Sequence, residues 1–268
     1  MPQKRTHKGA QITAIIIAIL LLCVAGFCAY LLIHNQQQKA EQKELFATIA
    51  EKVDAAESEL GDLEQIGSAE DKRVAQLLEV YRELHSYNSD FVGWIRVPGT
   101  EINYPVMQSP NNSNFYLRHN FEKEYSNLGT PYLQENCDIR TCDNLIIYGH
   151  HMLDGGMFSD LELYKKKEFF EQHKYVRFDT LDELGLYEVM AVVITTAYQS
   201  DSFQYYNYVE NNKLIFNTYV QECKQRALYD TGIDAEYGDK LVTLSTCEYS
   251  SDNGRLIVVA KKIGGIKK

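Results

Sequence analysis

One cysteine and one arginine stand on either side of a predicted hairpin near the end of the chain. The run LVTLSTC ends at Cys247 and the run RLIVVAKK begins at Arg255, with the turn pair Asn253-Gly254 between them. Antiparallel pairing of the two runs would put the thiol and the guanidinium at one rim of a sheet. A fixed positive charge there favours thiolate over thiol, or stabilises an oxyanion on a substrate carbonyl.

A cysteine nucleophile also needs a proton partner, and His150 is the best-placed candidate. It begins the pair His150-His151, which directly follows the apolar run NLIIYG. Residues just past a buried strand are typical site positions. The five other histidines lie in the N-terminal tail, beside the apolar N-terminal run or in helical or polar surroundings: His7, His34, His85, His119 and His173. These residue types predict a Cys-His-Arg site.

Each of the three residues also has an ordinary structural interpretation. A lone cysteine is usually a small core residue. A histidine pair at the start of a loop is usually solvated, and an arginine at the start of a strand usually caps a sheet edge. Spacing alone leaves both interpretations open, because such residues need only be neighbours in space.

The elements that must position these residues are mostly short strands. Apolar and polar residues alternate from Phe91 onwards, around the turn pair Pro98-Gly99. Further predicted strands cover residues 129–133, 144–148, 175–179, 186–195, 240–246 and 255–262. Two predicted helices interrupt them, at 158–172 and 208–227. Many short strands separated by turn residues favour a closed barrel or a sandwich.

A long apolar run near the N-terminus predicts a membrane anchor at residues 10–33. About 22 residues carry no charge, enough to cross ~30 Å of hydrocarbon. The basic flank at 1–9 should remain cytoplasmic, so the rest of the chain would lie outside the cell. A cleaved signal peptide would have a shorter apolar core. A lipoprotein anchor would need a small residue before its cysteine, but Phe27 precedes Cys28.

Residues 34–87 are predicted to be helical and to connect the anchor with a domain at 88–268. The stretch 35–60 is rich in Glu, Lys, Gln and Ala, which are good helix formers, and it is followed by interruptions at Gly61 and Gly67. A second helix, ending near residue 86, carries one apolar stripe at helical spacing. The simplest interpretation is that this stripe packs on the domain.

Charge and cysteine content narrow the possible functions. The net charge of −10 disfavours a general nucleic-acid binder, because no basic face is available for phosphates. Cys137 and Cys142 share the loop ENCDIRTCD and could pair as a disulfide outside the cell. A zinc site would need further ligands that the nearby sequence does not supply. Neither a metal nor a cofactor is predicted.

Three separated motifs resemble those of the sortase family. TLSTC, followed by Arg255 in RLIVVAKKI, is similar to the sortase signature. NLIIYGHHM resembles the histidine segment of the family, in which the first histidine, here His150, is catalytic. FVGWIRVPGTEINYPVMQ and NFYLRHNF resemble its first strands. The resemblance covers about residues 88–263. The serine in TLSTC and the predicted helix at 208–227 point to class B.

The resemblance implies a mainly β fold. The expected domain is an eight-stranded closed sortase-type β-barrel, with N-terminal helices and a helix between strands six and seven, preceded by one transmembrane helix. It implies a cysteine transpeptidase that cuts secreted proteins after the threonine of a C-terminal sorting pentapeptide. The cut protein would then be joined to a peptidoglycan precursor or cross-bridge amine.

The resemblance also implies residue roles. Cys247 would attack the threonine carbonyl, His150 would move the proton, and Arg255 would hold the substrate and the oxyanion. The expected peptide contacts are Ser245, Glu248, Leu117, Tyr205 and Tyr206. Ser113 departs from the family pattern, in which an asparagine is expected. Two alternatives remain: a peptidase of the same fold that mainly hydrolyses, and a non-catalytic wall-binding module.

Overall fold

The computed structural model describes residues 6–58, 68–109, 111–199, 202–209 and 212–267, in two compact units, Met1–Leu45 and Phe46–Lys268. Helix α1 (Thr6–Ser58) begins in the first unit. By length and composition, it is one helix that could cross a membrane, and its apolar residues from 12 to 33 are exposed. The helix runs on past the predicted anchor because no proline interrupts it. The glycines predicted to end it, Gly61 and Gly67, lie outside the described residues.

The second unit is built around a closed barrel of eight strands. In chain order, they are β1 (Phe91–Arg96), β2 (Asn103–Met107), β3 (Tyr132–Leu133), β4 (Asn144–Tyr148), β5 (Tyr175–Thr180), β6 (Glu183–Thr196), β7 (Leu241–Cys247) and β8 (Gly254–Lys267). The order around the barrel is β1-β2-β3-β4-β7-β8-β6-β5. The pairs β2–β3 and β4–β7 are parallel, and the other pairs are antiparallel. The prediction of a closed eight-stranded barrel is confirmed.

Helices surround the barrel. Helix α2 (Ser68–Tyr87) precedes β1, α3 (Lys167–Gln172) precedes β5, and α4 (Lys213–Arg226) lies between β6 and β7, as predicted. On α4, the residues that are buried against the barrel follow helical spacing: Phe216, Tyr219, Val220 and Cys223. Strand β7 is buried from Leu241 to Thr246, because β4 and β8 flank it in the sheet.

Besides β6 and β8, which are longer than predicted, three predicted elements differ from those observed. The strand predicted at 129–133 is only Tyr132–Leu133, because Gly129 has a φ of 59° and Pro131 has no N–H for the ladder. The helix predicted at 158–172 is a 3-10 segment (Ser159–Lys165) followed by α3, separated by an extended Lys166. The helix predicted at 208–227 starts at Lys213, where the Asn212 side chain accepts a bond from Ile215 N.

The loop between β3 and β4 contains the cysteine pair considered for a disulfide. Cys137 and Cys142 are free thiols in the structure, and both are buried. The backbone N–H of Asp138 donates to Cys142 Sγ at 3.1 Å. Burial raises the pKa of Cys137 to about 12. In this arrangement the pair consists of core thiols, with Cys137 held in its neutral form.

Charged side chains join the end of α1 to the barrel within the second unit. Arg177 pairs with Glu57 of α1 and donates to Asp179 Oδ2 at 2.9 Å. The hydroxyl of Tyr81, on α2, donates to the same carboxylate oxygen at 2.9 Å. Asp179 is only 2% exposed, and burial raises the pKa of its carboxyl above the ordinary value, although Arg177, Tyr81 and the backbone N–H of Gly185 favour the charged form.

Candidate active site

The hairpin of β7 and β8 brings the cysteine and the arginine together. Cys247 and Arg255 are direct cross-strand partners, and both are half-buried. Opposite residues of antiparallel strands have Cβ atoms about 4.5–5.5 Å apart. Arg255 Nη1 donates to the carbonyl of Gly254 at 2.8 Å, and within the described part of the chain no carboxylate forms an ion pair with this guanidinium. Donors of this guanidinium therefore remain for a substrate oxygen.

His150 reaches the same rim from the other side of β7. The parallel register pairs Tyr148 with Ser245, so two residues further on, His150 comes level with Cys247. Gly149 permits this path, because a Cβ at that position would lie 2.5 Å from the ring of Phe158. The three predicted catalytic residues thus stand on neighbouring strand ends of one barrel rim.

The tautomer of His150 follows from its hydrogen bond. Its Nε2 lies 2.8 Å from the carbonyl oxygen of Leu117, which can only accept, so Nε2 carries the proton. Nδ1 is then the unprotonated nitrogen of the neutral ring. Among the described residues, no hydrogen bond joins this ring to the Cys247 sulfur. Catalytic contacts of this kind often tighten only when substrate is bound.

Burial is the main reason why the pKa of His150 lies below its ordinary value. The Leu117 carbonyl opposes this effect by favouring the protonated ring, whereas the nearby charge of Arg118 adds to the lowering. The net direction keeps His150 neutral at pH 7. A neutral imidazole is the form that can accept a proton from an attacking amine.

The residues predicted to contact substrate fall into two groups. Ser245 is buried, and its hydroxyl lies 2.7 Å from the hydroxyl of Tyr205. The ring of Tyr205 in turn packs on Tyr206, with centroids 5.4 Å apart. The carbonyl of Tyr206 accepts a bond from Gln134 Nε2 at 2.9 Å. This group forms one wall beside β7, and the carbonyl of Leu117 lies against the ring of His150.

Glu248 forms the second group, with partners of its own. Its carboxylate pairs with Lys165 at 2.7 Å and accepts bonds from the backbone and hydroxyl of Ser250. Burial would raise its pKa, but the ion pair and the Ser250 bonds outweigh this effect and lower the pKa to about 2. The charge of Glu248 thus stabilises the turn that follows Cys247. A contact with peptide remains a prediction.

Several residues at this rim were not predicted from the sequence. His151 Nδ1 lies 2.9 Å from the carbonyl oxygen of Cys247, and the hydroxyl of Tyr249 donates to His151 O at 2.7 Å. Thr246 Oγ1 donates to Gly149 O at 2.8 Å. The sequence signal that could have identified them is their position, because each is next to a predicted site residue in the sequence.

The side chains of this rim can supply a nucleophile, a proton carrier and an oxyanion donor. The thiol, imidazole and guanidinium are sufficient for nucleophilic attack, proton transfer and oxyanion stabilisation at a carbonyl. Over the ranges that the structure describes, no three or more His, Cys, Asp or Glu side chains are grouped to hold a metal ion.

Comparisons with known proteins agree with this arrangement. A family model described as a sortase domain matches residues 95–263. A curated protein named sortase B from Staphylococcus aureus (strain NCTC 8325 / PS 47) is 34% identical over 189 residues, covering 68% of this chain and 74% of its own. A sortase B from Listeria monocytogenes serovar 1/2a is 34% identical over 186 residues, covering 68% and 73%.

Solved structures give the same result. A Staphylococcus aureus sortase B–substrate complex superposes with a TM-score of 0.71 at 28% identity, covering 85% of this chain and 98% of that one. A sortase B complexed with triglycine gives 0.71 at 29%, covering 85% and 99%. Sortase B from Clostridium perfringens gives 0.64 at 33%, covering 68% and 99%.

Proposed function

Because this chain belongs to the sortase family, as a class B cysteine transpeptidase, we propose that it joins secreted proteins to the cell wall. Its substrate is a C-terminal sorting pentapeptide, which it cuts after a threonine. Its second substrate is an amine of a peptidoglycan precursor or cross-bridge. The solved relatives with a substrate and with triglycine support a peptide donor and an amine acceptor.

The observation that carries the proposal is the cross-strand pair of Cys247 and Arg255. The sulfur attacks the threonine carbonyl, and the carbonyl oxygen becomes an oxyanion. Arg255 stays charged and presents several donors in a fixed fork, which suits it to hold that oxygen. When the peptide bond breaks, the acyl group remains on sulfur as a thioester.

His150 moves the proton in both half-reactions. The thiol proton passes through the imidazole to the nitrogen of the leaving peptide. In the second half-reaction, an amine attacks the thioester, His150 removes a proton from it, and the thiol is regenerated. The lowered pKa of His150 supports this second role, because the ring is already neutral at pH 7.

In this proposal, the wall beside β7 binds the sorting peptide. We assign peptide contacts to Ser245, Leu117, Tyr205 and Tyr206, and a supporting position to Glu248. The Tyr205–Ser245 hydrogen bond supports this assignment, since it holds the aromatic segment next to the nucleophile's strand. A substrate backbone laid along that wall would meet Cys247 at its end.

The N-terminal helix serves as the membrane anchor in this proposal. Residues 10–33 span the bilayer, 1–9 stay in the cytoplasm and the catalytic domain lies outside the cell. Tethering at the membrane raises the effective concentration of the enzyme near substrates held at the same surface. Protease added to intact cells should digest the catalytic domain. Complete protection of that domain would contradict this orientation.

The experiment that tests the proposed reaction uses the full chain in detergent micelles with a sorting peptide, with and without an amine acceptor. Transfer predicts a peptide–amine product whose yield rises with acceptor concentration. Hydrolysis at one rate with no amine product would instead favour a peptidase. Failure to cleave a panel of sorting peptides, with the fold intact, would favour a non-catalytic wall-binding module.

A further inference from the structure

The parallel ladder between β4 and β7 ends beside the nucleophile. Its last backbone bond runs from Gly149 N to Ser245 O at 3.0 Å. In a parallel ladder, the bonds recur every two residues. The next partners would be the carbonyl of Gly149 with the N–H of Cys247, and the N–H of His151 with the carbonyl of Cys247. Among the described residues, neither backbone bond is present.

Side chains take the place of both missing donors. Thr246 Oγ1 donates to the carbonyl of Gly149 at 2.8 Å. His151 Nδ1 lies 2.9 Å from the carbonyl of Cys247, and because a carbonyl only accepts, Nδ1 must carry the proton. The two strands are thus held together after their backbones separate. His150, which lies past the last bond of the ladder, contacts the carbonyl of Leu117.

The ring of His151 is itself held on two sides. The backbone carbonyl of His151 accepts a bond from the Tyr249 hydroxyl at 2.7 Å, and the rings of His151 and Tyr249 lie with centroids 4.8 Å apart. Glu162 Oε1 lies 3.7 Å from Nδ1, and Lys165 links Glu162 to Glu248 through ion pairs of 2.8 and 2.7 Å. The imidazole is therefore fixed in place, as a positioning group requires.

We infer that His151 is a positioning residue for the nucleophile: its Nδ1–H replaces the missing ladder donor at the Cys247 carbonyl and fixes the end of β7 level with His150. This inference rests on the proposed function and assigns the two adjacent histidines different tasks. His150 transfers protons, whereas His151 donates one hydrogen bond without exchanging its proton.

The inference predicts a particular pattern of substitutions. In His151→Asn, the amide Nδ2 is attached to Cγ, as Nδ1 is, so it can make the same bond. His151→Leu removes the donor and leaves the Cys247 carbonyl unpaired. A displaced nucleophile loses on the order of 10- to 100-fold in rate. We expect that fall in the acylation rate for His151→Leu, with the peptide KM little changed and with near wild-type rates for His151→Asn.

His173 supplies a matched control. Its Nδ1 lies 3.0 Å from the carbonyl of Phe169, at the end of α3, so it makes the same kind of bond away from the site. His173→Leu should leave acylation unchanged. The experiment measures single-turnover acylation by a sorting peptide as a function of pH, using the full chain in detergent micelles.

The outcomes separate the roles. Wild-type-like acylation by His151→Leu would overturn the inference. So would loss of activity in His151→Asn with a changed pH profile, which would show proton transfer by His151.

A second measurement does not depend on activity. Amide hydrogen exchange over residues 244–250 should be faster in His151→Leu than in wild type, and unchanged in His151→Asn. Equal exchange in all three proteins would contradict the inference that His151 fixes the end of β7. If wild type forms no acyl-enzyme, the proposed function fails while this exchange test still decides the contact.

Discussion

Arg255 lies directly across from Cys247. In the proposed mechanism its guanidinium holds the oxygen of the reacting carbonyl, so a change of its head group tests that contact. Arg255→Lys keeps the charge but loses the planar fork of donors. Removing an oxyanion donor costs roughly 10²–10³ in rate, so we expect kcat/KM for the sorting peptide to fall by about 100-fold. The matched control is Arg140→Lys, at an exposed arginine of the β3–β4 loop. Near-full activity of Arg255→Lys would argue against oxyanion contact.

Arg118 offers a test of the proton partner. Its charge helps to lower the pKa of His150, so Arg118→Gln should raise that pKa. In the proposed mechanism the second half-reaction needs neutral His150, so its rate should fall as pH drops through this pKa. The acidic limb of the aminolysis profile should therefore move to higher pH in Arg118→Gln and stay in place in Arg118→Lys. If the acidic limb moves in neither variant, the limb does not report the ionisation of His150.

At the residue scale, the pair of Cys247 and Arg255 could be predicted because the two residues are close in the sequence. Contacts between residues that are distant in the sequence could not be predicted in this way. The local turn that places Cys247 opposite Arg255 has Asn253 at a φ of 56° and is closed by bonds from Gly254 N to Ser251 O and from Glu248 N to Gly254 O. The bond from His151 to the Cys247 carbonyl joins residues that are 96 positions apart. It depends on the parallel pairing of β4 with β7, which no local pattern specifies.

At the element scale, two hydroxyl pairs attach the segment between β6 and β7 to the barrel. Tyr205 meets Ser245 at 2.7 Å near the site, and Tyr219 of α4 meets Thr243 at 2.7 Å further along β7. Tyr205→Phe leaves the buried hydroxyl of Ser245 without its partner, at a cost of about 1–3 kcal/mol. After Tyr219→Phe the hydroxyl of Thr243 still donates to Asn144 Oδ1 at 2.8 Å, so that variant loses one hydrogen bond and leaves no unpaired hydroxyl on Thr243. Tyr205→Phe and Tyr219→Phe should therefore both destabilise the fold, but only Tyr205→Phe should raise the peptide KM.

The double variant Tyr205→Phe with Ser245→Ala completes the test of this pair. Removing both hydroxyls leaves no unpaired group, so its stability loss should be smaller than the sum of the two single losses. Thermal unfolding of the four proteins measures the coupling. Additive losses would show that the two hydroxyls do not stabilise each other.

The sequence predicted most strands because their apolar runs end at turn residues. Strand β4 has the predicted bounds, 144–148, and β7 begins and ends within one residue of the prediction. The prediction was wrong on the length of β3, where Pro131 and the positive φ of Gly129 limit pairing. The closed strand order was available only through the family resemblance, since it rests on contacts between distant segments.

At the scale of the whole molecule, a buried ion network determines how firmly the helices hold the barrel. Arg177→Met would leave Asp179 without the one cation that pairs with it among the described residues, whereas Glu57 would keep its pair with Arg96, and we expect a cost of about 3 kcal/mol. The exposed pair of Lys224 and Asp234 is the control, and Lys224→Met should cost under about 1 kcal/mol. Urea unfolding can be followed by the fluorescence of Trp94, the only tryptophan. If both variants lose the same free energy of unfolding, burial does not make the ion pairs of Arg177 more important than an exposed pair.

The most direct test of the account is the mass of the enzyme after brief reaction with a sorting peptide. The account predicts an adduct on Cys247 that contains the peptide up to its threonine, sensitive to hydroxylamine as a thioester is. In Cys247→Ala, the fold should persist and the adduct should be absent. Peptide cleavage at the threonine by Cys247→Ala, or cleavage by the wild type with the acyl group on another residue, would contradict the account.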